Sequence, residues 1–171
     1  MTKSKGRWIL AALITAFLLA FAAWPVRVLI LESEKSRPLI LTVEQRETIT
    51  LQYVHSVYHV LQREIYEPVG NELVLRSMYF GDMSAALYYD AYALYPLEPE
   101  PAGGYTIREP NLHFPAISFA LGHGTQYEIY IGAKRPIDLD KTFEDATFLT
   151  VRPDVMPWGE YFLRRLSNGN R

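Results

Sequence analysis

The sequence predicts an all-β domain, an antiparallel β-sandwich or barrel, behind one N-terminal transmembrane helix and ahead of a short C-terminal helix. Three observations predict it. Beyond Pro25, short runs of alternating apolar and polar residues recur at intervals of about 8–12 residues, separated by turn-forming residues. Before Pro25 lies an uncharged run of 17 residues from Trp8 to Trp24. After Pro157, Trp158, Tyr161, Phe162 and Leu166 fall on one helical face, with Arg164 and Arg165 near the end, where cations suit the helix dipole.

The N-terminal run follows Lys3, Lys5 and Arg7 and carries a Trp at each end. As a helix it is about 25 Å long, at the short end of what crosses a bilayer. The flanking cations favour a cytoplasmic N-terminus and place the remainder on the far side of the cytoplasmic membrane, periplasmic or external. A cleaved signal peptide is the competing reading, since Ala20-Phe21-Ala22 has the small-x-small pattern of a cleavage site. The run exceeds the 7–15 apolar residues of a usual signal core, which favours an uncleaved anchor. The expected organisation is residues 1–25 as anchor (or signal peptide) and 26–171 as an extracytoplasmic β domain.

Composition narrows the function classes. The 171 residues suffice for one ordinary domain and an appendage. There is no cysteine, hence no disulfide, thiolate metal site or cysteine nucleophile. Without the three N-terminal cations the chain keeps 14 basic against 19 acidic residues, a net −5. No nucleic-acid partner is expected from such a charge, and adhesion to an anionic lipid surface has no electrostatic support.

In order, Val26–Ile30 is a strand, Glu32–Arg37 a polar turn and Leu39–Val43 a second apolar run. Glu47–His55 alternates, with Ile49, Leu51, Tyr53 and His55 on one face. Val60–Glu67 follows, then a turn at Val69–Glu72. Leu73–Phe80 is apolar on both faces apart from Arg76 and Ser77, as a central strand would be. Tyr88–Tyr95 reads as strand or loop, and Pro96–Gly104 as a long surface loop. Tyr105–Glu109, Ala116–Leu121, Tyr127–Ile131 and Thr147–Arg152 are further strands. A helical turn is expected near Asp140–Ala146, capped by Asp140 or Thr142. The helix after Pro157 is expected to close the open end of the sheet.

Catalytic signatures fail. His55 and Ser56 are adjacent, so in a strand they point to opposite faces, and no Gly-x-Ser-x-Gly elbow exists. The four histidines lack metal-binding spacings, and the acidic residues Asp138, Asp140, Glu144 and Asp145 lack calcium-loop spacing. No enzyme activity, metal or cofactor is expected. Glu64 shares a face with Val60 and Tyr66, and a buried carboxylate there needs a partner. Whether that partner is His55 depends on register. A tight corner sets His55 opposite Val60 and leaves Glu64 roughly 13 Å along, whereas an eight-residue loop sets the two opposite each other. A pocket lined by Tyr88, Tyr89 and Tyr92 would also suit a small organic ligand. The ligand-binding candidates are His55, Ser56, Glu64, Tyr66, Tyr88 and Tyr89.

Tyr53-Val54-His55-Ser56-Val57, then Val60, Glu64 and Tyr66, then Gly70, Leu73, Leu75 and Tyr79-Phe80 give the chain a family likeness. Over residues 39–87 it resembles the domain of unknown function 1850 family, and beyond that only in outline. One departure is Met83-Ser84-Ala85-Ala86-Leu87, where the family commonly has a Gly-Ala-Gly-Leu-Pro-like turn. The resemblance implies a small membrane-anchored protein that accompanies a TRAP-type solute transporter, in particular one using TAXI binding proteins. It implies contact with the permease or its solute-binding protein, by analogy alone.

Overall fold

The computed structural model describes residues 3–88, 95–122 and 124–168. The alternating runs become eleven described strands in two antiparallel sheets. Strands β1 (Pro25–Ser33), β2 (Leu39–Thr42), β8 (Ile117–Ala120) and β11 (Phe148–Pro157) form the smaller sheet, in the order β2-β1-β11-β8. The larger sheet contains β3 (Ile49–Val54), β4 (Leu61–Val69), β5 (Glu72–Phe80), β6 (Leu97–Pro99), β7 (Tyr105–Phe114), β9 (Glu128–Ile131) and β10 (Ile137–Asp138). Its order is β10-β9-β3-β4-β5-β7-β6, so β5 is an interior strand between β4 and β7, in keeping with its two apolar faces.

The two sheets bury one shared core, and this sandwich replaces the barrel alternative. Leu29, Leu31, Leu149 and Val151 of the smaller sheet meet Ile49, Leu51, Tyr66, Leu75, Ile129 and Ile131 of the larger. Each such aliphatic side chain contributes about 1.5–3 kcal/mol by leaving water. Ile49, Leu51 and Tyr53 are buried while Thr50, Gln52 and Val54 are half-buried, the alternation expected of β3. Between β4 and β5, Gly70 (φ 61°) supplies the left-handed conformation of a two-residue turn.

Several elements depart from expectation. Strand β1 runs on to Ser33, into the expected polar turn. Residues 97–99 of the Pro-rich loop form the short edge strand β6 on β7. Met83–Tyr88 is a helix, α2, whose Ala85 and Ala86 are fully buried against Phe80 and Ile107. Helix α3 (Leu139–Thr142) is capped by Asp138, whose carboxylate accepts from Lys141 N–H at 3.0 Å; Asp140 instead accepts from Tyr127 N–H. Tyr89, Tyr92 and His123 lie outside the described residues.

Helix α1 (Lys3–Ala23) occupies the predicted position and ends before Pro25. From Trp8 to Ala23 it offers 16 apolar or neutral residues, about 24 Å against about 30 Å of bilayer hydrocarbon. Among the described residues no helix is long and apolar enough to cross a membrane, so the expected span is not met by this helix. Its side chains nevertheless stand in the open on every side, from Trp8 through Leu13 and Phe17 to Phe21.

Helix α4 (Trp158–Asn168) corrects a second expectation: it lies on the outer face of the smaller sheet instead of closing an open end. Tyr161 is buried with Val28, Ile30 and Met156, the residues of β1 and β11 that point away from the shared core. Because Pro25 pairs with Pro157, α1 and α4 leave the same end of neighbouring strands. Trp158 N–H donates to Trp24 C=O at 2.9 Å, and the Phe21 and Trp158 rings stack 6.2 Å apart.

Candidate functional site

The His-Ser-Val corner joins β3 to β4 tightly. His55 N–H donates to Val60 C=O and His59 N–H donates to His55 C=O, each at 2.8 Å. His59 takes a positive φ of 53° to close the turn. The His55 ring is buried, and its Nδ1 accepts from the N–H groups of Val57 and Tyr58 at 3.1 and 3.3 Å. This leaves Nε2 to carry the proton of the neutral ring. Burial, and secondarily the charge of His59, lower the His55 pKa below its ordinary value. Tyr58 and Tyr88 pack their rings 5.2 Å from the imidazole, Tyr88 edge-on. His55 thus caps and fills the corner, while Ser56 is exposed on its outside.

The tight corner decides the open register. Leu51 pairs with Glu64, Tyr53 with Gln62, and His55 faces Val60, so His55 and Glu64 belong to different places on the sheet. Glu64 finds two other partners. Tyr53 Oη donates to its Oε1 at 2.8 Å, and Tyr66 Oη donates to its Oε2 at 2.6 Å. Tyr66 is two residues along the same strand and Tyr53 lies diagonally across on β3, so all three side chains share the inner face. Among the described residues no cation forms an ion pair with this half-buried carboxylate. The neighbouring Arg63 points to the other face and donates to Gln52 Oε1.

Glu64, Tyr53 and Tyr66 line one wall of a cavity of about 340 Å³ between the sheets. Phe119 and Tyr127 stack at 4.6 Å and Tyr127 meets Tyr53 at 4.8 Å, giving a run of three rings along one side. Phe114 meets Tyr66 edge-on at 6.3 Å on another. Ala116 lies at the β7–β8 bend and Ser118 in β8, and among the described residues Glu64 is the single charged one of the lining. A second recess of about 490 Å³ lies beside β9 and α3, and its polar groups pair with one another. There Gln52 donates to Glu128, and Lys141 pairs with Asp138 at 2.6 Å.

Of the sequence candidates, Glu64 and Tyr66 meet at the cavity, and His55 and Tyr88 meet at the corner. Tyr89 lies outside the described residues. The reading missed Tyr53, Phe114, Phe119 and Tyr127 as site residues. Tyr53 carried a signal, since it shares the His55 face of β3. Phe119 and Tyr127 become neighbours only through packing between the sheets. Among the described residues no group of three or more His, Asp or Glu side chains could hold a metal ion. One further polar group stands out: the Gln62 side chain is fully buried, and among the described residues neither its oxygen nor its nitrogen has a hydrogen-bond partner.

A family model described as a domain of unknown function, DUF1850, matches residues 49–137, just over half of the chain. The chain belongs to the DUF1850 family. The match starts at β3, later than the resemblance that began at residue 39, and runs 50 residues beyond its end at 87. It takes in the larger sheet up to Ile137 and β8, and with them every residue lining the Glu64 cavity. Strands β1, β2 and β11 and helices α1 and α4 lie outside the DUF1850 match. No curated protein and no solved structure matches the chain.

Proposed function

We propose that this DUF1850 protein is a membrane-attached recognition domain that binds a small ligand in the Glu64 cavity. The observation that carries the reading is a carboxylate oriented by two tyrosine hydroxyls in the wall of a cavity rich in aromatic rings. Such a combination is the usual make-up of a small-molecule site: apolar walls for affinity, a few placed polar groups for orientation. A thermal-shift screen of the full chain in detergent, with metabolites sorted by charge, tests it. A saturable shift that disappears in Ala116→Phe, which fills the cavity, is expected. A panel without any shift, or shifts indifferent to Ala116→Phe, refutes it.

Attachment to the membrane is supported by α1, which is apolar all round and exposed, a surface that belongs in lipid or protein rather than water. Phe162, Leu163 and Leu166 of α4 extend the same apolar surface at 58–69% exposure. On this reading α4 lies in the lipid interface beside α1.

A second reading, service to a TRAP-type transporter by contact with its permease or solute-binding protein, draws on the same exposed surface. Mild-detergent purification from native membranes tests it, and persistent absence of both components counts against it.

A further inference from the structure

Building on the proposed ligand cavity, we infer that its ligand is a small organic cation of the ammonium type. The charge balance of the cavity carries this. Among the described residues Glu64 is the single charged one in the lining, and both its oxygens are engaged as acceptors by Tyr53 and Tyr66. Two phenol hydroxyls orient a carboxylate but do not neutralise it, and a half-buried charge is costly until an opposite charge reaches it. Arg63, the residue next to it, is committed to Gln52 on the opposite face. A metal ion would need further ligating carboxylates or imidazoles, which the described residues do not bring together. An anion would meet the carboxylate directly, and a neutral ligand would leave it uncompensated. The walls fit the same conclusion. Tyr53, Tyr127 and Phe119 form a ring stack and Tyr66 and Phe114 an edge-on pair, so a cation entering the cavity meets aromatic rings on more than one side. Ammonium ions with methyl or methylene substituents are held in this manner, by the ring quadrupoles and the apolar contact together. The volume, about 340 Å³, admits a ligand of a few heavy atoms up to a small drug-sized molecule.

The test uses the full chain in detergent with three probes: choline, tetramethylammonium, and 3,3-dimethylbutan-1-ol, the uncharged isostere of choline. Affinity is read by thermal shift and calorimetry, against sodium chloride at equal ionic strength. Both cations are expected to bind saturably and the isostere about tenfold or more weaker. Glu64→Gln is expected to weaken cation binding by about tenfold or more while its near-ultraviolet circular dichroism stays native. If Glu64→Gln does not fold, Ala116→Lys, at a half-buried position of the lining, brings an internal cation to the cavity and is expected to block the probes. Equal binding of the isostere, or cation binding indifferent to these variants, overturns the inference. So does failure of both cations to bind. If anionic or neutral compounds then bind in a manner abolished by Ala116→Phe, the cavity reading stands and only the ligand class falls. If nothing binds, both fall.

Discussion

Tyr53 on β3 donates its hydroxyl to Glu64 on β4 at 2.8 Å, diagonally across the inner face of the larger sheet. With Tyr66 on the other oxygen at 2.6 Å, the carboxylate is fixed from two strands. Hydrogen bonds to charged groups contribute about 1.5–3 kcal/mol when buried. Because Glu64 is half-buried, Tyr53→Phe and Tyr66→Phe are each expected to cost nearer 1–2 kcal/mol, roughly, in chemical denaturation. The loss should shrink in a Glu64→Gln background, where the acceptor charge is gone. An additive double-mutant cycle would mean the hydroxyls do not act through Glu64.

Gln62 makes the opposite prediction. Its side chain is fully buried, in register with Tyr53 on one side and Phe80 on the other, and neither amide atom is paired among the described residues. An unpaired buried polar group costs about 1–3 kcal/mol. Gln62→Met keeps much of the volume and removes the unpaired atoms, so it is expected to raise the melting temperature. A fall of 1 kcal/mol or more, roughly the net contribution of a hydrogen bond, would mean that the amide holds a bound water or ligand.

The alternation of Ile49, Leu51, Tyr53 and His55 was legible because period two is a direct consequence of strand geometry. What the sequence left open is non-local. Strand β7 passes through Pro110 because a bulge opposite Arg76, with Glu109 and Asn111 at positive φ, takes the proline out of the ladder. Strand β11 continues through Pro153 because β8 pairs only up to Val151, leaving one edge of β11 unpaired there. Helix α2 is too short to show a period, and its alanines are buried by what packs on them. At the site, Glu64 and Tyr66 could be named from one strand. Tyr53 as the donor required the register, and Phe119 and Tyr127 required the packing of one sheet on the other.

His55 gives the corner a pH dependence. Its folded pKa is lowered from 6.5, chiefly by burial and further by His59, so the folded state favours the neutral ring. A depressed folded pKa contributes stability that is fully present above the unfolded value of about 6.5 and is lost as pH falls toward the folded one. Acidification also puts a proton in competition with Val57 and Tyr58 N–H for Nδ1. The melting temperature is therefore expected to fall below about pH 6.5 in the wild type. In His55→Asn, whose side-chain oxygen can accept the same N–H groups without titrating, that limb should be flatter. Equal acid limbs in both proteins would remove His55 as the cause.

Helices α1 and α4 make a spatial prediction about lipid. Trp158 begins α4 beside Trp24 and Phe21, and Phe162, Leu163 and Leu166 stand exposed beyond it. Arg164 pairs with Glu160 at 2.7 Å and Arg165 donates to the Tyr161 hydroxyl at 3.0 Å, so polar contacts line the flank of the helix while its apolar residues stay open. Such a helix settles at the headgroup boundary, with its apolar side chains in the acyl region. The chain has three tryptophans, so Trp8→Phe/Trp24→Phe leaves Trp158 as the sole reporter. In vesicles, brominated lipids are expected to quench Trp158 in that background. Phe162→Ser/Leu163→Ser/Leu166→Ser is expected to reduce the quenching without lowering thermal stability, because these side chains are exposed and contribute little to the core. Unquenched Trp158 would place α4 in water or against protein.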